Sequence, residues 1–309
     1  MYSSNITQYI KHDLKNYFLK YITCLISLLT ILNGQKLLSS ILYDPLNISY
    51  KPTKLINAQS QALLPTGNFE IILQNRSGTE EDGPQFRLDA KYGLSKYLTL
   101  GISNTNHLGT YDISAKTNIL PLFSDSTQHS FTLIYYMNLG LHTEIDIKFD
   151  YLDQLSFFHQ LIIDPKLNSR FSIQLLPTYI HKNIADTSEV NSEKDNEGKF
   201  TEIDPNFGYP WDMMFFGIGG SWNFSQSIKF IGEYFPLISD RNGSTENVSG
   251  WALGMDYHTS FAILQLQLSN TLHLSDKALV NDAGIKPTDK KHFGIKISRS
   301  FNLTTHYGD

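Results

Sequence analysis

The chain of 309 residues has a single cysteine, Cys24. One thiol cannot form an intrachain disulfide, so a cystine-stapled scaffold is excluded. An excess of basic residues is also lacking. The 25 Lys and Arg stand against 30 Asp and Glu, for a net charge of -5, and nucleic acid as a partner would call for a basic face. The apolar run Tyr21 to Leu32 (YITCLISLLTIL) falls short of the ~20 residues of a spanning helix. With a mean hydropathy of -0.23, a bundle of membrane helices is excluded too. The catalytic signatures are missing: the chain contains no G-x-S-x-G, H-E-x-x-H, P-loop or G-x-G-x-x-G. Neither His129-Ser130 nor His258-Thr259-Ser260 sits in a distinctive neighbourhood. No cofactor and no catalytic residue are therefore expected.

Aromatic residues are plentiful, at 13% of the chain with 17 Tyr and 19 Phe. Membrane barrels spend such residues on girdles at their two interfaces. The clearest pattern runs from Phe86 to Ile119 and, read with a period of two, holds three strands. Phe86, Leu88, Ala90 and Tyr92 share one face, and Arg87, Asp89 and Lys91 share the other. Leu98, Leu100 and Ile102 oppose Thr99, Gly101 and Ser103, and Tyr111, Ile113 and Ala115 oppose Asp112, Ser114 and Lys116. Strict alternation marks a strand between two unlike environments. An apolar face against lipid and a charged face lining a lumen satisfy it, which points to a membrane β-barrel.

The amino terminus reads as an export signal over residues 1–34. Lys11, Lys15 and Lys20 precede the apolar run, and Asn33, Gly34 and Gln35 follow it, with cleavage expected near Gly34. YITC lacks the small residue a lipoprotein would place before Cys24; an uncleaved anchor is the alternative. Residues 35–67 carry prolines and a mixed composition, as expected of an extended periplasmic or lumen-entering segment. The barrel then occupies 68–303, with a short tail at 304–309.

Within 68–303 the alternation gives twelve strands, the ninth running from Ser227 to Leu237. Short connections such as Gly93–Lys96 and Thr259–Ser260 alternate, through most of the chain, with longer polar ones, the longest from Asn183 to about Pro210 and another from Asn270 to Lys291. An even strand count with short periplasmic turns and long external loops is the layout of an up-and-down outer-membrane barrel, all-β and antiparallel. Strand six, Gln154 to Ile163, is apolar on both faces, which leaves its register open. A soluble secreted β-barrel binding protein also alternates, with its apolar face turned inward.

The charges expected to line the lumen are Arg87, Asp89, Lys91, Asp112, Lys116, Lys229, Glu233, Asp256 and Lys296. They mix both signs, which suits a salt-bridged filling or a narrow channel and no ion of one sign. Tyr92, Tyr97, Tyr111, Trp222, Trp251 and Tyr257 sit near strand ends, where girdles belong. Glu193, Asp195, Glu197, Gly198, Lys199, Thr201 and Asp204 fall on a degenerate calcium-loop pattern. Glu stands there for the first Asp and Asp for the bidentate Glu, so a solvated acidic loop is the simpler account. His181, closing strand seven, has no ligand partner at metal spacing.

The runs TKLINAQSQALLPTGNFEIILQNRSG (53–78), FRLDAKYGLSKYLTLGIS (86–103), SIQLLPTYIHKN (172–183) and HFGIKISRSFNL (292–303) resemble an uncharacterised Bacteroidota-type outer-membrane β-barrel family, a domain of unknown function. The resemblance spans about residues 50 to 303. It implies the outer membrane of a Gram-negative cell, with membrane lipid and the barrel-assembly machinery as partners, and it brings no substrate or active residue. The tail departs from the pattern by running past Phe301 to Asp309. The expected role is a narrow channel or a structural envelope component; the alternative is a barrel-embedded hydrolase acting on lipid or peptide.

Overall fold

The computed structural model describes residues 51–77, 83–106, 109–122, 131–143, 152, 154–165, 170–183, 211–240, 249–277 and 291–303. The expected export signal at 1–34 with Cys24, the calcium-loop candidates Glu193, Asp195, Glu197 and Asp204, and the tail 304–309 lie outside these. The alternating runs form β1 (Asn68–Arg76), β2 (Gln85–Ser95), β3 (Leu98–Thr105), β4 (Thr110–Asn118), β5 (Phe131–His142), β6 (Leu155–Pro165) and β7 (Phe171–Lys182). The sheet continues through β8 (Trp211–Asn223), β9 (Ile228–Phe235), β10 (Leu237–Asp240), β11 (Gly250–His258), β12 (Ile263–Ser269) and β13 (His292–Asn302).

Sequence neighbours pair antiparallel around the sheet, and β1 pairs with both β2 and β13, which closes the ring. β9 and β10 are two halves of one stave. Pro236 separates them; lacking an N–H, it cannot donate to the ladder. The register against β8 shifts between Leu237 and Ser239. The ring therefore has twelve staves, as expected, but the ninth, read from sequence as one run over 227–237, is broken. Closure pairs the staves through the β1–β13 and β8–β9 seams, with β10 bonded to β8 alone among the described residues; lipid imposes such closure on any spanning sheet.

Each stave turns alternate residues in and out. On the outside stand large apolar side chains, with Ile102 63% and Ile113 58% exposed. Exposed apolar residues of this kind occur on staves all round the ring, well beyond the few-hundred-Å² patch of a soluble monomer. Lipid is their solvent, and the soluble-barrel alternative, which needs that face inward, falls. The inner face is not uniformly polar. From β5 to β9 it carries Ile134, Tyr136, Phe158, Ile162, Leu176, Ile180, Met213, Phe215 and Phe235 in one buried cluster. This settles β6: Ser156, Phe158, Gln160, Ile162 and Asp164 point inward, and Leu155, Phe157, His159, Leu161 and Ile163 outward. The strand is apolar on both faces because lipid lies on one side and this cluster on the other.

Tight connections, such as those at 96–97, 224–227 and 259–262, mark one rim, and longer ones the other. Two connections break the alternation: 119–130 is long on the short-turn rim, and 106–109 is short on the long-loop rim.

Residues 51–67 run inside the ring, touching β1, β2, β4, β6, β9, β12 and β13. Gly67, at φ 79°, makes the bend into β1 that few side chains allow. Its N–H donates to Gly93 O (2.8 Å), and its carbonyl accepts from Leu303 N (3.0 Å). A Cβ at Gly93 would lie 2.1 Å from Pro65 O, so the segment passes β2 only because that residue has no side chain. Inside, the chain folds back on itself: Leu55 N donates to Ala58 O (2.8 Å) and Ser60 N to Thr53 O (3.0 Å). The stretch from Asn270 to Lys291 was expected as an external loop. Its first part, 270–277, instead turns into the ring, with Thr271, Ser275, Asp276 and Lys277 buried.

Candidate functional site

The site is the filled lumen. The wall holds the inserted segment 51–67 largely by its backbone. Glu233 accepts from the amides of Ile56 (2.7 Å), Asn57 (2.9 Å) and Ala58 (3.2 Å). Gln160 Oε1 accepts from Gln59 N (3.3 Å) and Thr99 Oγ1 from Leu64 N (3.0 Å). The carbonyls are met by cations and amides. Lys116 Nζ donates to Thr53 O (2.6 Å), Ser60 O (3.0 Å) and Ala62 O (3.1 Å). Lys296 Nζ donates to Lys54 O (3.2 Å) and to Leu55 O, while Gln74 and Gln265 reach Ile56 O (3.2 Å) and Leu55 O (3.1 Å). Thr53 is bound to Glu70 through its hydroxyl and to Lys91 Nζ at 2.7 Å. Buried polar groups cost free energy unless they are paired, and here the wall supplies partners for the segment's backbone groups.

Apolar side chains of the segment fill recesses left by glycines on the wall. Leu55 and Ile56 pack with Ile231 and Ala252. A Cβ at Gly219 would lie 2.8 Å from Leu55 Cδ1, and one at Gly254 2.9 Å from Ile56 Cδ1. Ala58 and Leu63 pack against the β5–β9 cluster.

Asp276 is where the two insertions meet. It accepts from Lys54 Nζ (3.1 Å) and Gln59 Nε2 (3.3 Å) of one insertion, and from Arg87 Nη2 (3.3 Å), Tyr136 OH (2.6 Å) and Asn138 Nδ2 (3.1 Å) of the wall. Burial alone would raise its carboxyl pKa, but the Lys54 and Arg87 cations outweigh that and hold it well below the usual carboxylate range. Lys277 reaches Asp112 Oδ1 (2.8 Å) and Asn138 Oδ1 (2.6 Å). A Cβ at Gly140 would come within 2.1 Å of its ammonium, so glycine again makes the room.

Arg87 organises the wall side of this joint. It bonds Asp89 and Asp112 at 2.9 Å each and Ser103 Oγ at 2.7 Å. Among the described residues, eight cations and seven carboxylates are buried, a near balance that lets the lumen fill without a large net field.

The sequence-predicted residues Arg87, Asp89, Lys91, Asp112, Lys116, Glu233, Asp256 and Lys296 are all buried on the inner face. Lys229 is inward and opposite Asp256, but only half-buried, because it lies close to the short-turn rim. Tyr92, Tyr97, Trp222 and Tyr257 stand exposed on the outer face at the short-turn rim, and Tyr111 toward the other, where Trp251 is half-buried. Trp222 stacks on Phe171 (6.0 Å between centroids) and meets Phe224 and Phe230. Sequence reasoning missed Glu70, Arg76, Lys54, Asp276 and Lys277. Glu70 stands between Phe69 and Ile71, but Ile72 shares its inward face and Asn75 and Ser77 flank Arg76, so the period of β1 is only partly legible. Lys54, Asp276 and Lys277 lie in aperiodic segments that carry no such signal.

Several histidines pair outside this network, among them His142 and His181. His142 lies between Thr110 Oγ1 (2.9 Å) and Ser156 Oγ (3.0 Å) at the long-loop end of the lumen. On the outer face His181 Nδ1 bonds Asp212 (2.7 Å), which also accepts from Tyr179 OH (2.6 Å). Among the described residues no group of three or more His, Cys, Asp or Glu is placed to hold a metal.

Residues 50–301 match the family described as "Membrane bound beta barrel domain (DUF5777)". No curated protein matches the sequence. Among solved structures the chain is similar to the NanC porin, at 10% identity and a TM-score of 0.49, over 75% of this chain and 98% of that one. It is similar to an outer membrane channel from Pseudomonas putida F1, at 11% identity and 0.46, over 78% and 98%. A further similarity is to outer membrane phospholipase A from Escherichia coli, at 12% identity and 0.39, over 84% and 98%.

Proposed function

The chain belongs to this family of membrane-bound β-barrels, and on that footing we propose that the outer-membrane barrel is a narrow channel held shut by its own inserted segments. The observation that carries the reading is the Lys54–Asp276 joint. There an insertion continuous with β1 and one continuous with β12 meet inside the ring, both gripped by the wall. The short-turn rim faces the periplasm in this reading, lipid covers the outer face, and β13, ending near Phe301, is the strand the assembly machinery reads.

Planar-bilayer recording tests it. The full chain should stay silent or show only brief small openings, and a variant lacking 51–66 should conduct in steady steps. A wide ohmic pore in the full chain overturns the closed lumen. Silence in the shortened, folded barrel leaves a structural envelope component as the better account.

A hydrolytic role gains little support. Thr110 and Ser156, the hydroxyls on either side of His142, are fully buried, so no lipid or peptide carbonyl reaches them. The hydroxyl that shares Asp212 with His181 is a phenol, Tyr179, which is a poor acyl acceptor.

A further inference from the structure

The wall reads the inserted segment through main-chain groups. Carboxylate and hydroxyl acceptors meet N–H groups, with Glu233 alone taking three in a row. Lysine ammoniums meet carbonyls: Lys116 takes three, and Lys296 takes two. These lysines are buried, yet the groups they satisfy on the segment are neutral carbonyls. A wall built only to neutralise itself would pair its lysines with its own carboxylates, as Arg87 does with Asp89 and Asp112. Instead acceptors and donors are spaced for a polypeptide backbone, and glycine recesses at Gly219 and Gly254 receive two consecutive aliphatic side chains.

We infer that the lumen is a peptide-binding site, occupied in this structure by the chain's own residues 53–64, and that it takes in trans a polypeptide of the same chemistry. That chemistry is a hydroxyl residue and a cation, followed by two aliphatic residues and a backbone that folds back on itself. The cation meets Asp276, the aliphatic pair fills the recesses, and the backbone amides and carbonyls meet Glu233, Lys116 and Lys296. The inference rests on the reading of 51–67 as a removable insertion, but its test requires no current.

A variant lacking 51–66, in the full barrel and shown folded by heat-modifiable gel mobility in vesicles, is titrated with a fluorescent peptide of residues 51–66. Saturable binding is expected, weakened at least tenfold by Glu233→Gln and by Lys116→Met. A peptide N-methylated at the amides of Ile56 and Ala58 should bind at least tenfold more weakly, whereas replacing the exposed Thr66 by Ala should cost little. Absence of binding, or equal binding of the N-methylated peptide, overturns the inference. If the shortened barrel does not fold, the full chain serves, carrying Cys24→Ser and Ala58→Cys. Glu233→Gln should then speed maleimide labelling of residue 58 at least tenfold, and excess peptide in trans should speed it further by holding the site open. Labelling unaffected by either sinks the idea. A barrel that binds peptide but never conducts overturns the channel and keeps the peptide site; one that conducts but binds nothing does the reverse.

Discussion

Replacing Asp276 by Ala tests the joint at the centre of the lumen. The carboxylate is 1% exposed and lies 3.1 Å from Lys54 Nζ, itself 1% exposed. The losses are unequal. Arg87 keeps Asp89 and Asp112 at 2.9 Å each and stays compensated. Asn138 keeps Lys277 at 2.6 Å. Lys54 loses its salt bridge, and Tyr136 OH loses its 2.6 Å acceptor. Breaking a buried pair from one side costs about 3–5 kcal/mol, because the remaining charge is buried and uncompensated. An orphaned neutral donor costs about 1–3 kcal/mol, not additively. Asp276→Ala should therefore lower stability by about 3–5 kcal/mol, dominated by the stranded ammonium. The second prediction from the same premise is rescue: adding Lys54→Met removes that ammonium, so the double variant should be more stable than Asp276→Ala alone. Urea unfolding in lipid vesicles, followed by tryptophan fluorescence and gel mobility, reads both. A single-variant cost under about 1 kcal/mol, the size of an exposed ion pair, would refute the reasoning. So would a double variant whose loss equals the sum of the two single losses.

Three further outcomes follow from the same geometry. The Asp276 carboxyl is held below its ordinary range, so its contribution is complete above the unfolded carboxylate value of about 3.9 and is lost as pH falls toward the folded one. Wild type should lose stability as pH falls below about 4 by more than Asp276→Ala does, and parallel curves there would contradict this. Gly93→Ala places a Cβ 2.1 Å from Pro65 O and 2.7 Å from Leu64 O, both backbone atoms that cannot swing aside. A loss of about 1–3 kcal/mol is expected, with faster hydrogen exchange at the Leu64 amide, now bonded to Thr99 Oγ1; unchanged exchange would count against the close passage. Ile113→Lys should cost about 2–4 kcal/mol in vesicles if that face meets the apolar mid-bilayer, and a change within about 0.5 kcal/mol would mean that it faces water.

Much of the wall was legible because strand period is local. Arg87, Asp89 and Lys91 alternate with Leu88, Ala90 and Tyr92, and any closed sheet must send these two sets to opposite faces. The break at Pro236 was equally local, since proline removes a ladder donor wherever it falls, though sequence reasoning ran the ninth strand straight through it. The β5–β9 inner cluster was harder. A strand that is apolar on both faces has no period to read, and only the ring shows which set meets Ala58 and Leu63.

The amino-acid sequence by itself determined the class: a membrane barrel of twelve staves, with a mixed-charge inner face and an aromatic-rimmed outer one. These follow from residue alternation and from the aromatic residues placed near strand ends. Only the tertiary structure decided what the inner face does. Lys54 is 222 residues from Asp276 in the chain and 3.1 Å from it in space, and Glu233 meets the amide of Ile56 across a separation of 177. Closing the ring brings these groups together, and burial gives them no bulk water to pair with instead. No periodicity encodes such a pairing, because it depends on where two aperiodic segments turn inward rather than on any repeat along a strand.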